Sequence, residues 1–322
     1  MSQTARALDV RTEFAADVFA GLSKSGQKEL PSKYLYDDIG SALFEVITLL
    51  PEYGLCRAEE RLFERHSTEL VARLPGAVVV AELGSGTGKK TRRVLEALGR
   101  RQTTSYYPID VSPAALLRCE REFSGLSSVK LAGLVSPYLD GLREVARRRP
   151  AGAPLLVLFM GSTIGNLERP VMEEFLRDVR EQLAPGDGFL LSTDLEKPVA
   201  QLLAAYDDSI GVTAAFNLNL LERINRELGG NFDVSTFRHE ARWNERERRI
   251  EMHLSSTCQQ NVHIRRAGIS AEFRNGETIW TECSHRFNCA EVVRLGQRSG
   301  FRCDTQWVDS EWPFAQSLLI AN

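Results

Sequence analysis

A chain of 322 residues can form one large domain or two of ordinary size, each with its own core. With 43% hydrophobic and 26% charged residues and a formal net charge of -3, it has a globular composition, and its 40 Lys and Arg are too dispersed for a nucleic-acid footprint. No apolar run approaches the ~20 residues that a bilayer span needs, and the stretch from Met1 to Glu13 lacks the basic start and apolar core of a secretory signal. A cytoplasmic protein without membrane or nucleic-acid partners is expected. The six cysteines form no CxxC pair, so reduced thiols are expected, and Cys283, His285 and Cys289 lack a fourth ligand at metal-site spacing.

The first 55 residues read as helical. From Val78 the sequence alternates short apolar runs with amphipathic stretches, the pattern of repeated βα units around a parallel sheet. Strands are predicted at Val78 to Leu83, Tyr106 to Ile109, Val129 to Leu134, Leu155 to Phe159 and Gly188 to Thr193. Helices are predicted between them at Lys89 to Leu98, Pro113 to Phe123, Leu139 to Arg147 and Val171 to Leu183. Pro198 to Leu228 then reads as helical, and Phe237 to Phe287 carries alternating segments, among them Ile250 to Ser256, Ile269 to Phe273 and Thr278 to Ser284. A helix at Ala290 to Arg298 and a hairpin of Arg302 to Trp307 with Gln316 to Ile320 resume the first pattern at the sheet edge. The expected fold is therefore a doubly wound, Rossmann-like α/β sheet in residues 58–196 and 287–322, with a second α+β domain from residues 1–57 and 197–286.

The strongest local signal is Glu82-Leu83-Gly84-Ser85-Gly86-Thr87-Gly88-Lys89-Lys90-Thr91, directly after the first sheet strand. A P-loop would need a glycine where Leu83 stands and a Ser or Thr after Lys89, and the dinucleotide fingerprint would need its third glycine at Lys89. Glu82 followed by GxGxG instead resembles the nucleoside-binding motif of class I methyltransferases, with Glu82, Gly84, Ser85 and Gly86 at an S-adenosylmethionine site. Asp110 ends the second strand, where a carboxylate can accept from both ribose hydroxyls. Capping the following helix is the alternative, for which Ser112 is an equally good candidate.

A closer likeness is carried by Glu82 to Thr87, Gly161-Ser162-Thr163-Ile164-Gly165-Asn166-Leu167, Ala205 to Asp208 with Gly211 to Asn217, and Arg249 to Met252. Together these resemble the L-histidine Nα-methyltransferases of ergothioneine biosynthesis, from about Lys33 to the C-terminus. The resemblance implies a methyltransferase domain and a substrate domain built from the N-terminus plus an insertion. It implies that Asn166, Tyr206 and Tyr53 hold the amino acid's carboxylate and α-amine, that Glu282 and Ser284 bind the imidazole, that Met252 lies along the ring and that Tyr36 stands near the entrance. Lys90, Gly161 and Ser162 join the expected cofactor residues. L-histidine as small-molecule partner, a monomer, and three methylations to the betaine follow from the same likeness.

The residue chemistry fits. Glu282 and Ser284 are two apart on a predicted strand and so share a face; a carboxylate can take the imidazole N–H and a hydroxyl can serve the other nitrogen. A tryptophan or phenylalanine ring would leave that carboxylate unpaired. Surface exposure is the alternative for Glu282 and Ser284, a turn role for Asn166, and burial as an ordinary aromatic for Tyr206. Tyr53 and Tyr206 are the candidate catalytic hydroxyls, although an unperturbed tyrosine is a poor base near neutrality. Two positions depart from the family: Ser136-Pro137-Tyr138 stands where Gly-Asp-Phe usually meets adenine, and Gly54 replaces an aromatic after Tyr53. A methyltransferase for tryptophan or another amino acid, or a silent fold that only binds an adenosyl ligand, are the rival readings.

Overall fold

Val79–Leu83 has every residue buried, as a strand covered on both faces must. The computed structural model describes residues 3–322, with side chains from residue 13 onward, so the first two residues of the expected N-terminal domain lie outside the described residues. The chain divides into two compact units. The first runs to Gly54 and takes in Lys197–His285; the second comprises Leu55–Glu196 and Arg286–Asn322.

In chain order, the first unit opens with helix α1 (Gln3–Leu22), the short strand β1 (Lys28–Glu29) and α2 (Asp38–Ile47). The second unit follows with α3 (Leu55–Ala72), β2 (Val79–Leu83), α4 (Arg92–Gly99), β3 (Thr104–Asp110), α5 (Pro113–Phe123), β4 (Val129–Leu131), β5 (Leu134–Val135), α6 (Tyr138–Arg148), β6 (Leu155–Phe159), α7 (Arg169–Glu181) and β7 (Gly188–Asp194). The chain returns to the first unit with α8 (Val199–Tyr206), α9 (Val212–Leu228) and strands β8 (Phe237–Asn244), β9 (Arg249–Ser256), β10 (Gln260–Ile264), β11 (Ile269–Phe273) and β12 (Thr278–His285). It ends in the second unit with α10 (Cys289–Arg298), β13 (Phe301–Asp309) and β14 (Phe314–Ala321). Among the described residues no helix is long and apolar enough to cross a membrane.

The second unit is the doubly wound α/β fold. Its sheet runs β13-β14-β7-β6-β2-β3-β4, with β5 also on β3. All pairings are parallel except those of β14, which lies antiparallel to β7 and to β13. From β2 the chain winds outward to β3 and β4, then returns to β6 and β7 on the other side. The switch point therefore falls at the end of β2, where such sheets leave a ligand crevice. The core includes Val79, Ala81, Val157, Phe159, Leu176, Phe189, Leu191 and Leu319.

In the first unit β12, β9 and β8 form an antiparallel sheet, with β1 added parallel to β12, while β10 and β11 make a separate hairpin. Helices α8 and α9 pack on β8 and β9.

The differences from expectation have local causes. The run Val129 to Leu134 splits at Ala132-Gly133 into two short strands that both pair with β3. Helix α4 starts at Arg92 rather than Lys89, because Thr91 N still closes a turn onto the Gly88 carbonyl. The helical stretch after Pro198 breaks at 207–211: Gly211 takes φ +80°, and the Asp208 carboxylate accepts from the amides of Val212 and Thr213, starting α9 afresh. Strands β8 and β10 fall inside the alternating stretch Phe237 to Phe287 without having been delimited individually, and β1 is only two residues long.

Helix α6 approaches the sheet at Gly141, where a Cβ would run into Cγ2 of the fully buried Ile109. Gly141→Ala is therefore expected to destabilise the protein by about 1–2 kcal/mol, the overpacking cost exceeding the gain in helix propensity. The urea midpoint measures it; an unchanged or higher midpoint would show that the helix can move aside.

Candidate active site

The glycine loop closes over the end of β3. The amides of Gly84 and Ser85 donate to the Ile109 carbonyl at 2.8 and 3.2 Å. Gly84 and Gly88 take φ +72° and +70°, and a Cβ on Gly88 would lie 2.6 Å from Cys119 Sγ and 2.8 Å from the Phe123 ring. These positions need glycine for both reasons. Above Gly86, by contrast, a Cβ would meet nothing within 4 Å, which is the open approach that a ligand requires.

Asp110 is tied to that loop. Its Oδ2 accepts from Gly86 N at 3.0 Å and its Oδ1 from Ser112 N at 2.9 Å, which leaves each oxygen a second lone pair for a hydroxyl. The cap of α5 is Ser112, whose Oγ accepts from Ala115 N, so Asp110 does not serve that helix. Ser85 Oγ is buried without a hydrogen-bond partner in the protein. An orphaned hydroxyl, a carboxylate with spare acceptor sites and open space over Gly86 together suit a nucleoside with its ribose diol.

Glu82 and Lys90 lie differently from simple ligand contacts. Glu82 is 2% exposed and accepts from the Thr91 hydroxyl at 2.6 Å and from the Tyr106 hydroxyl, holding the loop from beneath. Burial raises its carboxyl to about 7, against the lowering pull of those two hydroxyls. Lys90 donates to Glu59 at 2.7 Å. Burial alone would lower the Lys90 ammonium, but the Glu59 carboxylate beside it keeps it charged, above the ordinary lysine range.

Glu59 is the residue that sequence reasoning missed. Fully buried on α3, it also accepts from Gly161 N at 3.0 Å, so it joins the glycine loop to the turn after β6. An acid on the apolar stripe of Cys56, Leu62 and Phe63 was the available signal. In the same turn Gly161 and Ser162 both take positive φ, and Ser162 Oγ accepts from Asp194 N at the end of β7. Asn166 ends the short 3₁₀ turn Thr163–Asn166 and is half-buried. In the departing Ser136-Pro137-Tyr138 segment, Ser136 N donates to the Asp110 carbonyl, and a Cβ on Gly84 would lie 3.1 Å from the Tyr138 hydroxyl. Burial first, and the Asp110 charge second, push that hydroxyl up to about 12.

The first unit gathers the other predicted residues. Glu282 and Ser284 are buried, at 8% and 3% exposure, and not a surface pair. They stand opposite Met252 and Ile250 on β9, so Glu282, Ser284 and Met252 share one face. Tyr206, at the end of α8, is buried and donates its hydroxyl to Ser284 Oγ at 2.8 Å. Its ring meets that of Tyr53 at 6.2 Å; Phe44 continues the series at 6.2 Å, and Tyr36 follows at 5.5 Å. Phe216 flanks Tyr36 and Phe44. The aromatic run thus leads from the buried Ser284 to Tyr36, which is 37% exposed. Phe44 and Phe216 were not singled out in the sequence; aromatics spaced along helices look like any core residue.

Comparison with known proteins identifies the family. The profile of a family described as histidine-specific, SAM-dependent methyltransferase matches residues 14–321. A histidine N-alpha-methyltransferase of Mycolicibacterium smegmatis is 40% identical over 310 residues, covering 94% of this chain and 94% of that protein. One of Mycobacterium tuberculosis is 41% identical over 307 residues, covering 94% and 93%. Ergothioneine biosynthesis protein 1 of Neurospora crassa is 34% identical over 207 residues, covering 64% of this chain and 24% of that longer protein.

The raised Glu82 carboxyl makes stability pH-dependent. Between its ordinary 4.5 and about 7 it is protonated when folded and ionised when unfolded. The folded state then binds more protons, so the stability this group contributes is full below 4.5 and is lost as pH rises through about 7. Over the whole window the loss is on the order of 3 kcal/mol. Glu82→Gln should flatten the fall, measured as urea midpoints at several pH values from about 5 to 8. A variant whose curve tracks the parent's would show that Glu82 does not titrate there.

Proposed function

This chain belongs to the histidine-specific, S-adenosylmethionine-dependent methyltransferase family, and from that premise we propose that it methylates the α-amine of L-histidine. Three successive transfers would give the trimethyl betaine hercynine, the form used in ergothioneine biosynthesis. The observation that carries the substrate is the buried carboxylate and hydroxyl of Glu282 and Ser284 on the face of Met252. A carboxylate and a hydroxyl side by side match the imidazole, which among amino-acid rings offers an N–H for the first together with an acceptor nitrogen for the second.

On this reading the second unit holds the cofactor. Asp110 accepts from the ribose hydroxyls and Ser85 gives its orphaned hydroxyl, while Gly84 and Gly86 let the ligand close on the backbone. Gly161, Ser162, Lys90 and Glu82 act by shaping that crevice. S-adenosylmethionine bound there supplies a sulfonium methyl as electrophile. For the amino acid, Tyr206 and Tyr53 of the first unit take its carboxylate and α-amine, Met252 lies along the ring and Tyr36 lines the entrance; Asn166, a residue of the second unit, is assigned to the carboxylate and α-amine by the family likeness alone.

The α-amine attacks only with its lone pair free, so it must bind as the neutral base. As the N–C bond forms the C–S bond breaks, and a proton must leave the new ammonium before the next attack. On this reading Tyr53 and Tyr206 accept it in passing, and holding nitrogen in line with the methyl is worth several kcal/mol. The reading includes a cytoplasmic monomer with no nucleic-acid or membrane partner.

Incubation with S-adenosylmethionine and each amino acid in turn, followed by mass spectrometry, tests the substrate. Gains of one to three methyl groups on histidine are expected, and their absence refutes the reading. Glu282→Ala should weaken histidine about 10- to 100-fold, the cost of a lost charged hydrogen bond, while tryptophan changes little. Equal losses for both would remove Glu282 from ring recognition.

A further inference from the structure

Side chains two apart on a regular strand share a face, so Trp280 and Glu282 should point the same way. They do not. Trp280 stands opposite His253 and Glu282 opposite Met252, and His253 and Met252 are neighbours on β9 that face opposite sides. The register shifts between Trp280 and Glu282, leaving Thr281 as one extra residue in β12. That single insertion puts Glu282 and Ser284 on the face of Met252. Without it they would turn to the other face, where the Glu251 carboxylate is already bonded to Arg249 at 2.7 Å and to His253 at 3.2 Å.

The extra residue is pinned. Thr281 is 1% exposed, and its hydroxyl reaches Asn217 Oδ1 at 2.7 Å and the Met252 carbonyl at 3.0 Å. Asn217, fully buried on α9, donates through Nδ2 to the His253 carbonyl at 3.2 Å and toward His239 Nδ1 at 2.9 Å. The other ring nitrogen of His239 lies 2.7 Å from the Tyr206 carbonyl, which can only accept. His239 is therefore neutral with its proton on Nε2, and Nδ1 accepts from Asn217. Tyr206 in turn donates to Ser284. The bonds run in a circuit from Thr281 through Asn217, His239 and Tyr206 to Ser284, back on the strand where it began.

We propose that Asn217 and Thr281 are positioning residues for amino-acid recognition: the bond between them fixes the one-residue bulge that turns Glu282 and Ser284 onto the face of Met252. His239 extends the same hold to Tyr206. The proposal rests on Glu282 receiving the ring of the amino acid, so the two must be tested separately.

Binding of L-histidine in the presence of S-adenosylhomocysteine, and of S-adenosylhomocysteine alone, is measured by calorimetry for Thr281→Val, Thr281→Ser, Glu282→Ala and the double variant Thr281→Val/Glu282→Ala. Thr281→Val, nearly isosteric, should weaken histidine about tenfold with the adenosyl ligand unaffected, and Thr281→Ser, which keeps the hydroxyl, should bind within about twofold of the parent. The double variant should lose less than the two single losses combined, because with the carboxylate gone Thr281→Val has only Ser284 left to misplace. Thr281→Ala reads the same way if the valine variant does not fold. The proposal is overturned if losing the hydroxyl leaves histidine binding intact, if it weakens both ligands equally, or if the two losses add. If Glu282→Ala itself leaves histidine unaffected, the recognition reading fails instead, and the positioning proposal with it.

Discussion

A β-strand can present neighbouring positions to one face only by breaking its own alternation, and the unit that we assign to the amino acid depends on one such break. The extra residue at Thr281 gives β12 two settings, one facing Trp280 toward His253 and the other facing Glu282 toward Met252. A bulge is held when its unpaired groups find partners off the ladder. Here the partner is an asparagine on the helix that packs over the sheet, so the direction of a carboxylate depends on how α9 lies on β9 and β12. Buried amides cannot adjust cheaply, since an unpaired group in such a place costs about 1–3 kcal/mol.

The second unit solves a related problem with charge. The parallel strands end in a cluster of polar groups at the switch point, and each carboxylate there is partnered differently. Glu59 spans a lysine and a backbone amide, Glu82 takes two hydroxyls, and Asp110 takes two amides. Glu82, paired with hydroxyls alone, is the one whose carboxyl is driven toward neutrality; the lysine facing Glu59 is driven the other way. The loop is thus stiffened from beneath by groups that never need to touch a ligand, while Asp110 and Ser85 keep unsatisfied capacity on the open side. Preorganisation of this kind lets a crevice bind without reordering its backbone.

Most of the second unit was legible because parallel strands buried on both faces read as unbroken apolar runs, and Leu155–Phe159 and Pro113–Phe123 fall where the sequence puts them. The glycines and Asp110 were legible for a related reason: ordered strands fix where their ends lie. In the first unit β8 and β10 lie inside the alternating stretch from Phe237, and what the sequence left unread was where each of them begins and ends. The bulge at Thr281 was invisible. Counting two residues from Glu282 to Ser284 gives a shared face correctly, yet the same counting from Trp280 to Glu282 gives the wrong answer, and nothing in Trp-Thr-Glu announces it. Glu59 was likewise hidden, being one acid among several on an otherwise ordinary amphipathic helix.

Apart from Asn166, the residues proposed for the amine are hydroxyls and rings, and this selection has a chemical logic. A carboxylate beside the amine would grip the ammonium form and hold its lone pair in a bond to hydrogen, which opposes attack. Tyrosine hydroxyls can orient the nitrogen without fixing its charge. As methyl groups accumulate the nitrogen loses every N–H but keeps its positive charge, so hydrogen-bond acceptors become useless to it while aromatic faces become useful. Tyr53 and Tyr206, with rings 6.2 Å apart and Phe44 6.2 Å from Tyr53, would supply both kinds of contact from the same side chains in the proposed site. A site that must take an amine at the start and a quaternary ammonium at the end is better built from tyrosine than from aspartate. In the proposed site the Glu282 carboxylate, buried on the Met252 face, is assigned instead to the ring at the other end of the molecule.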